Sequence, residues 1–203
     1  MSSSNVNEYL LHGFPDNYQN PRKIPKADFI EDVEALVNKK GSSDIQDTIS
    51  QIYRDQNQKH QQYQIFEYRL HEAREQLKVK IPDIKKTIES VKFLKKSFEG
   101  DDETDASDKI ETHFKLDETV FAEAIIPKTD RVALWLGCDI MVEYSLDEAM
   151  ELLNKNVALA EQKLSEINED IAYLKEQKTT TEVNMSRVYN FGVKKRNETK
   201  KQQ

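Results

Sequence analysis

LDEAMELLNKNVALAEQKLSEINEDIAYLKEQKTTTEVNMSRV, residues 146–188, carries a seven-residue repeat without a single Gly or Pro. Steps of four and three residues in alternation, starting at Leu146, give thirteen positions. Eleven of them are apolar and two, Lys178 and Thr181, are polar. These positions are Leu146, Met150, Leu153, Val157, Ala160, Leu164, Ile167, Ile171, Leu174, Lys178, Thr181, Met185 and Val188. The repeat predicts a helix roughly 60 Å long with one narrow apolar seam. Such a helix requires a second helix along the seam, so the stretch predicts a coiled coil.

The partner helix is predicted over residues 42–98, where the same rhythm runs from Ile45 to Val91. Gln56 and Lys59 weaken the seam in its middle. The step from Leu77 to Ile81 is four residues where three are due, and Pro82 lies beside this irregularity. A stutter with a proline predicts a bent helix, and two separate helices are the alternative.

The composition favours long solvated helices over a thick core. Charged residues make up 33% of the 203 residues and hydrophobic residues only 37%, and there are few helix breakers, with 5 Gly and 5 Pro. The net charge of −7 argues against nucleic-acid binding as the main role. A lone cysteine excludes an internal disulfide framework, and neither a secretory leader nor a membrane-spanning run is visible. These features predict a cytoplasmic protein.

Between the two helices the apolar period changes from 3.5 to 2, which predicts two consecutive β-hairpins over residues 110–144. An acidic loop over residues 99–109 precedes them. Four short strands with free edges are poorly stable alone and favour pairing with another chain. The candidate assembly residues are Phe114, Leu116, Phe121, Ile125, Leu134, Trp135, Leu136, Ile140 and Val142.

The boundaries of the remaining segments follow from capping residues. Ser145 and Glu148 form a capping box for the second coiled-coil helix, predicted over residues 145–192 with Gly192 as its stop. A basic tail follows over residues 193–203. Residues 1–23 are predicted to be a mobile arm, and a short helix over residues 24–41 is predicted with Pro25 in its first turn.

The simplest arrangement of these segments is an antiparallel hairpin of the two long helices with the β-hairpins at one end. At the other end an apolar concentration remains that two helices cannot bury completely. The candidate contact residues there are Ile45, Ile49, Ile52, Tyr53, Met185, Val188, Tyr189 and Phe191. Tyr53, Tyr189 and Phe191 lie off the ideal seam and are the better candidates for exposed contact, whereas the other five fit seam packing equally well. The short helix over residues 26–37 is a candidate cover for this cluster.

The sequence contains no pattern typical of catalysis. The four histidines, His12, His60, His71 and His113, lie in different contexts without a partner at metal-ligand spacing. No phosphate-binding loop or nucleophile elbow is present, and Cys138 has no activating base nearby in the sequence. We expect no enzymatic activity, no metal and no cofactor.

Four runs of the sequence resemble prefoldin, specifically its alpha-type subunits. They are IPKADFIEDVEALV from Ile24, IPDIKKTIESVKFLKK from Ile81, WLGCDIMVEYSLDEAMELL from Trp135 and TTTEVNMSRVYNFGV from Thr179. The resemblance covers roughly residues 24–193. It implies a heterohexamer of two alpha-type and four beta-type subunits whose β-hairpins form a common body and whose coiled-coil tips hold unfolded actin and tubulin. It further implies delivery to the cytosolic chaperonin without nucleotide.

Two other interpretations remain open at this stage. A structural coiled-coil adaptor that assembles partner proteins without binding unfolded chains would explain the seam and the hairpins equally well. It would leave the off-seam aromatic residues at the tip unexplained. An RNA-associated coiled coil using the tail Lys194–Lys201 is disfavoured by the acidic net charge and by the absence of interleaved aromatic residues.

Overall fold

The computed structural model describes residues 14–15, 18–40, 45–99 and 109–201. Its elements, in chain order, are α1 (Val33–Lys40), α2 (Ile45–Glu99), β1 (Lys109–Lys115), β2 (Phe121–Pro127), β3 (Arg131–Gly137), β4 (Ile140–Ser145) and α3 (Leu146–Lys201). The fold is therefore mainly helical with two small antiparallel β-hairpins, as the sequence predicted. Most of the predicted acidic loop and the predicted end of the short helix, at residue 41, lie outside the described residues.

The two long helices follow the predicted seams closely. All thirteen seam positions of α3 are buried or half-buried. Helix α2 runs without interruption for 55 residues and contains Pro82, so the alternative of two separate helices does not hold. The α2 seam departs from the prediction at three positions, since Ile45, Lys59 and Phe66 are exposed. Beside Phe66, Glu67 is half-buried and pairs with Lys178.

The described chain divides into two units. Unit 1 comprises the residues up to Gln76 and those from Lys163 onward, and unit 2 comprises Leu77–Gln162. In unit 2, ion pairs join Lys85 to Glu161 and Lys95 to Asp147, so the helices run antiparallel there. Their core is a cluster of Ile88, Val91, Leu153 and Val157, against which Leu134 of β3 packs.

Each hairpin forms its own two-stranded antiparallel sheet. In the β3–β4 hairpin Gly137 pairs with Ile140, and the two intervening residues, Cys138 and Asp139, have φ values of 52° and 58°. Positive φ at both central positions is the type I′ turn, whose twist matches that of the paired strands. Ser145 then caps α3, since its hydroxyl accepts the Glu148 N–H and the Glu148 carboxylate accepts the Ser145 N–H.

In unit 1 the described part of the N-terminal segment is ordered against the helices, which corrects two predictions. Residues 18–32, which we term the strap, contain no helix and pack along α3, so the described part of the predicted mobile arm is held in place. Helix α1 begins only at Val33, because the Asp32 carboxylate caps it by accepting the N–H groups of Glu34 and Ala35. Pro25 therefore lies in the strap and not in a first helical turn.

The end of α3 also differs from the prediction. The helix continues through Gly192 to Lys201, so the predicted basic tail is helical as far as it is described. A Cβ atom at position 192 would lie 3.1 Å from the Ile49 Cγ2 atom. Gly192 is thus a point of close approach between α2 and α3 instead of a helix stop.

Candidate functional surfaces

The β-hairpins expose most of the residues predicted to mediate assembly. Large apolar side chains that are more than half exposed are Phe114, Leu116, Phe121, Ile125, Trp135, Leu136 and Ile140. The other two candidates, Leu134 and Val142, are half-buried and form a cross-strand pair on the opposite face of β3–β4 from Trp135. Alternation along β3 therefore directs Leu134 toward the helices and Trp135 toward solvent.

The hairpins also offer unpaired backbone groups. Because each sheet contains only two strands, every strand leaves one edge unpaired within the described residues. Exposed apolar side chains beside free strand edges form a surface that pairs readily with another chain. Trp135 and Met141 are directly opposite each other and both exposed, so this face of the second hairpin is apolar across both strands. Within the described residues, this surface is left open to solvent.

The structure separates the eight predicted tip residues into two groups. Ile49, Ile52 and Val188 are buried with Val33 and Val37 of α1, and we call these five residues the free-end cluster. Phe191 is half-buried against the same cluster. Helix α1 therefore covers the apolar concentration that two helices alone could not bury, and Ile49, Ile52 and Val188 are almost inaccessible to solvent.

Of the remaining four residues, Tyr53, Met185 and Tyr189 form what we call the tip patch, whereas Ile45 is exposed but lines neither groove of the patch. Tyr189 is 59% exposed and Tyr53 is 40% exposed, and both line a shallow groove together with the half-buried Met185. A second shallow groove on the other side of the two tyrosines reaches Ile49 and Gly192. Two adjacent aromatic rings flanked by grooves provide an amphipathic contact surface.

An acidic pair on α3, which the sequence interpretation missed, anchors the strap. Glu169 and Asp170 are both buried. The Arg22 guanidinium donates to Asp170 and, at 2.8 Å, to Glu169, and the Tyr18 hydroxyl donates to Glu169 at 2.6 Å. The Asn20 amide donates to Asp170 at 2.6 Å. Burial opposes ionisation of Glu169, but the hydrogen bonds from Tyr18 and Arg22 outweigh this effect and lower the pKa of its carboxyl group.

Further along the strap, polar side chains of the helices bind its backbone. The Gln177 amide oxygen accepts the Ala27 N–H at 2.8 Å. The Asn184 side chain accepts the Ile30 N–H at 2.9 Å and donates to the Asp28 carbonyl at 2.8 Å. Polar residues inside a coiled-coil seam are costly without partners, and here the strap supplies them. The polar interruption of the seam at Thr181 was the available signal, since it lies between these two side chains.

A family model for prefoldin, described as prefoldin subunit, matches residues 63–191. The chain is 39% identical to prefoldin subunit 3 of Mus musculus over 86% of this chain and 84% of that protein. It is 39% identical to prefoldin subunit 3 of Homo sapiens, covering 86% of this chain and 83% of that protein. Against prefoldin subunit 3 of Saccharomyces cerevisiae the identity is 34% over 94% of each chain. Across the described ranges, no helix combines the length and apolar character that crossing a membrane requires.

Proposed function

Because the chain belongs to the prefoldin family, whose members are chaperone subunits that assemble with one another, we propose that it is an alpha-type subunit of a prefoldin heterohexamer. The hexamer contains two alpha-type and four beta-type subunits. It captures unfolded polypeptides, actin and tubulin among them, in the cytoplasm and delivers them to the cytosolic chaperonin without using ATP. The similarity to relatives named prefoldin subunit 3 supports the subunit type.

The observation that carries the assembly part is the exposed apolar surface of the two hairpins. Eight large apolar side chains of the hairpins, Met141 among them, are more than half exposed, although the four strands are only six or seven residues long. A patch of this kind on a small sheet with free edges is unfavourable in water. Strand pairing with neighbouring subunits removes both the exposed area and the unpaired edges.

The tip patch supports the client-binding part of the proposal. Tyr53 and Tyr189 offer large contact area with few rotatable bonds, and Met185 adapts its shape to different side chains. One such patch binds weakly, but several subunits in one assembly hold the same chain through avidity. Weak multivalent contact suits capture and release of non-native polypeptides with no fixed sequence.

The test replaces the tip patch while leaving the assembly surface intact. In reconstituted hexamers, the triple variant Tyr53→Ser, Met185→Ser, Tyr189→Ser is expected to lose suppression of actin aggregation while its mass by native mass spectrometry is unchanged. Tyr68→Ser is the matched control, because Tyr68 is 73% exposed on α2 but lies outside the patch. Undiminished suppression by the triple variant would sink the client-binding proposal and favour the adaptor interpretation.

A further inference from the structure

The strap is held mainly through its backbone between residues 25 and 31. Besides the bonds from Gln177 and Asn184, the Tyr63 hydroxyl donates to the Pro25 carbonyl at 3.0 Å, and the Arg187 guanidinium donates to the Glu31 carbonyl. We call the surface formed by Tyr63, Gln177, Asn184 and Arg187 the strap groove. Five hydrogen bonds from its side chains bind the main chain of five of the seven residues from 25 to 31.

The strap groove places few constraints on the side chains of the segment that occupies it. Ala27, a small residue, is buried against Tyr63 and Leu174, and Ile30 is half-buried against the free-end cluster. The intervening Asp28 and Phe29 are exposed. A site that bonds the backbone and buries one small and one aliphatic side chain three residues apart accepts many sequences. This is the chemistry by which proteins bind extended peptides, since main-chain bonds supply affinity and pockets for selected side chains supply selectivity.

The polar groups of the strap groove need hydrogen-bond partners whenever the groove is covered. Tyr63, Gln177 and Asn184 are all buried beneath the strap, and Asn184 is completely inaccessible. If the strap leaves, these groups need either water or another polypeptide backbone. An extended client segment satisfies the same donors and acceptors, because every residue except proline carries the same backbone N–H and C=O groups.

We infer that the strap groove is a second site for extended, unfolded polypeptide, and that a client segment occupies it by displacing the strap. The inference rests on the proposed client-binding function. The groove and the tip patch are close together on α3, since Asn184 of the groove and Met185 of the patch are consecutive residues. A client held at the tip patch therefore reaches the groove within a few residues of chain.

The anchor of the strap is chemically different from the groove and can be altered separately. Arg22 bonds the carboxylates of Glu169 and Asp170, and none of these three residues belongs to the groove. Loss of Arg22 removes charge-assisted hydrogen bonds from the docked state only. Arg22→Ala therefore increases the fraction of subunits with an open groove while leaving Gln177 and Asn184 in place.

The direct experiment is hydrogen exchange of the reconstituted hexamer, with and without excess chemically unfolded actin. The amides of Ala27 and Ile30 are expected to exchange faster when actin is bound, because they lose their side-chain acceptors, Gln177 and Asn184. Actin that binds with unchanged exchange over residues 25–31 overturns this inference alone and leaves the tip patch as the client site. Absence of actin binding overturns the proposed function and this inference together.

Variants provide an independent arm of the test. Arg22→Ala should tighten actin binding by at least about tenfold, since it removes two charge-assisted bonds and each is worth roughly that factor in strap docking. Arg74→Ala, which removes an ion pair to Glu75 on α2, is the matched control and should leave actin affinity unchanged. An Arg22→Ala hexamer with unaltered actin affinity contradicts the inference.

The last variant distinguishes a binding groove from a surface that the strap merely covers. In the Arg22→Ala background, adding Asn184→Ala should weaken actin binding again, because the groove loses two backbone bonds. A mere cover predicts unchanged or tighter binding, and that result overturns the inference. Gln177→Leu repeats the test with little change in side-chain size or helix propensity, and hexamer mass and helical circular dichroism verify that both variants fold.

Discussion

Neighbouring residues on β3 should separate assembly from chain stability. Leu134 packs on the helices of unit 2 and Trp135 is on the opposite face of the strand, so one alanine substitution at each position removes one kind of contact. We expect Trp135→Ala to weaken hexamer assembly while the isolated chain keeps its stability. We expect Leu134→Ala to destabilise the chain itself.

The magnitudes follow from burial. Trp135 is 61% exposed, so a partner chain can cover roughly 120 Å² of a side chain that buries ~200 Å² in full. At about 25 cal/mol per Å² this area is worth about 3 kcal/mol, or roughly a hundredfold in the dissociation constant. Leu134→Ala deletes side-chain atoms packed on a core cluster and should cost about 2–3 kcal/mol in the free energy of unfolding. Trp135→Ala should change that free energy by less than about 0.5 kcal/mol.

Two measurements check these values. Native mass spectrometry over a dilution series reports the dissociation of the hexamer, and urea unfolding followed by circular dichroism reports the stability of the isolated chain. Tyr68→Ser, exposed on α2, serves as the control for loss of a surface aromatic residue. If Trp135→Ala assembles like the parent chain, or destabilises the isolated chain as much as Leu134→Ala, the assignment of the two strand faces is wrong.

Two further predictions concern local features. Ser145→Ala should lower the free energy of unfolding by about 1 kcal/mol through loss of the α3 cap, and Ser145→Thr should restore it. Hydrogen bonds from the Ser145 side chain and backbone lower the pKa of Glu148. An NMR titration of Ser145→Ala should therefore show this pKa returning toward its ordinary value. The lowered pKa of Glu169 means that its contribution to strap docking is fully present above its ordinary pKa of 4.5 and is lost as the pH falls through the lowered value. Acidification should therefore speed proteolysis after Lys23. Arg22→Ala should move the pH at which half of this increase has occurred to a higher value. A midpoint pH that Arg22→Ala leaves unchanged contradicts this account.

The sequence predicted those parts of the fold that depend on local periodicity. The seam of α3 and the alternation of the strands are repeats within one element, so they could be read without knowing the partner. The capping box at Ser145 and Glu148 is equally local. These features did not separate the two faces of β3, because Leu134 was grouped with Trp135 as an assembly residue and its packing on the helices depends on the tertiary structure.

The errors arose where tertiary contacts override local preference. Gly192 is a strong helix stop by propensity, but α3 passes through it because the missing side chain permits contact with Ile49. The strap up to residue 23 was predicted to be mobile because its polar composition gives no local structure, and the part from residue 24 was predicted to be helical. Its order depends on Arg22 meeting Glu169 and Asp170, which are almost 150 residues away in the chain. Nothing in the local pattern links these groups.

The covalent connection between the strap and α1 has a quantitative consequence for competition. A segment attached to the protein that it binds acts at an effective concentration of the order of millimolar. A short peptide at micromolar concentration therefore competes poorly for the strap groove, however well its sequence fits. A long polypeptide already held at other sites has a comparable local concentration of its own. The covalent attachment of the strap therefore favours long polypeptides that bind at several sites. The groove should select extensively unfolded proteins over isolated flexible ends.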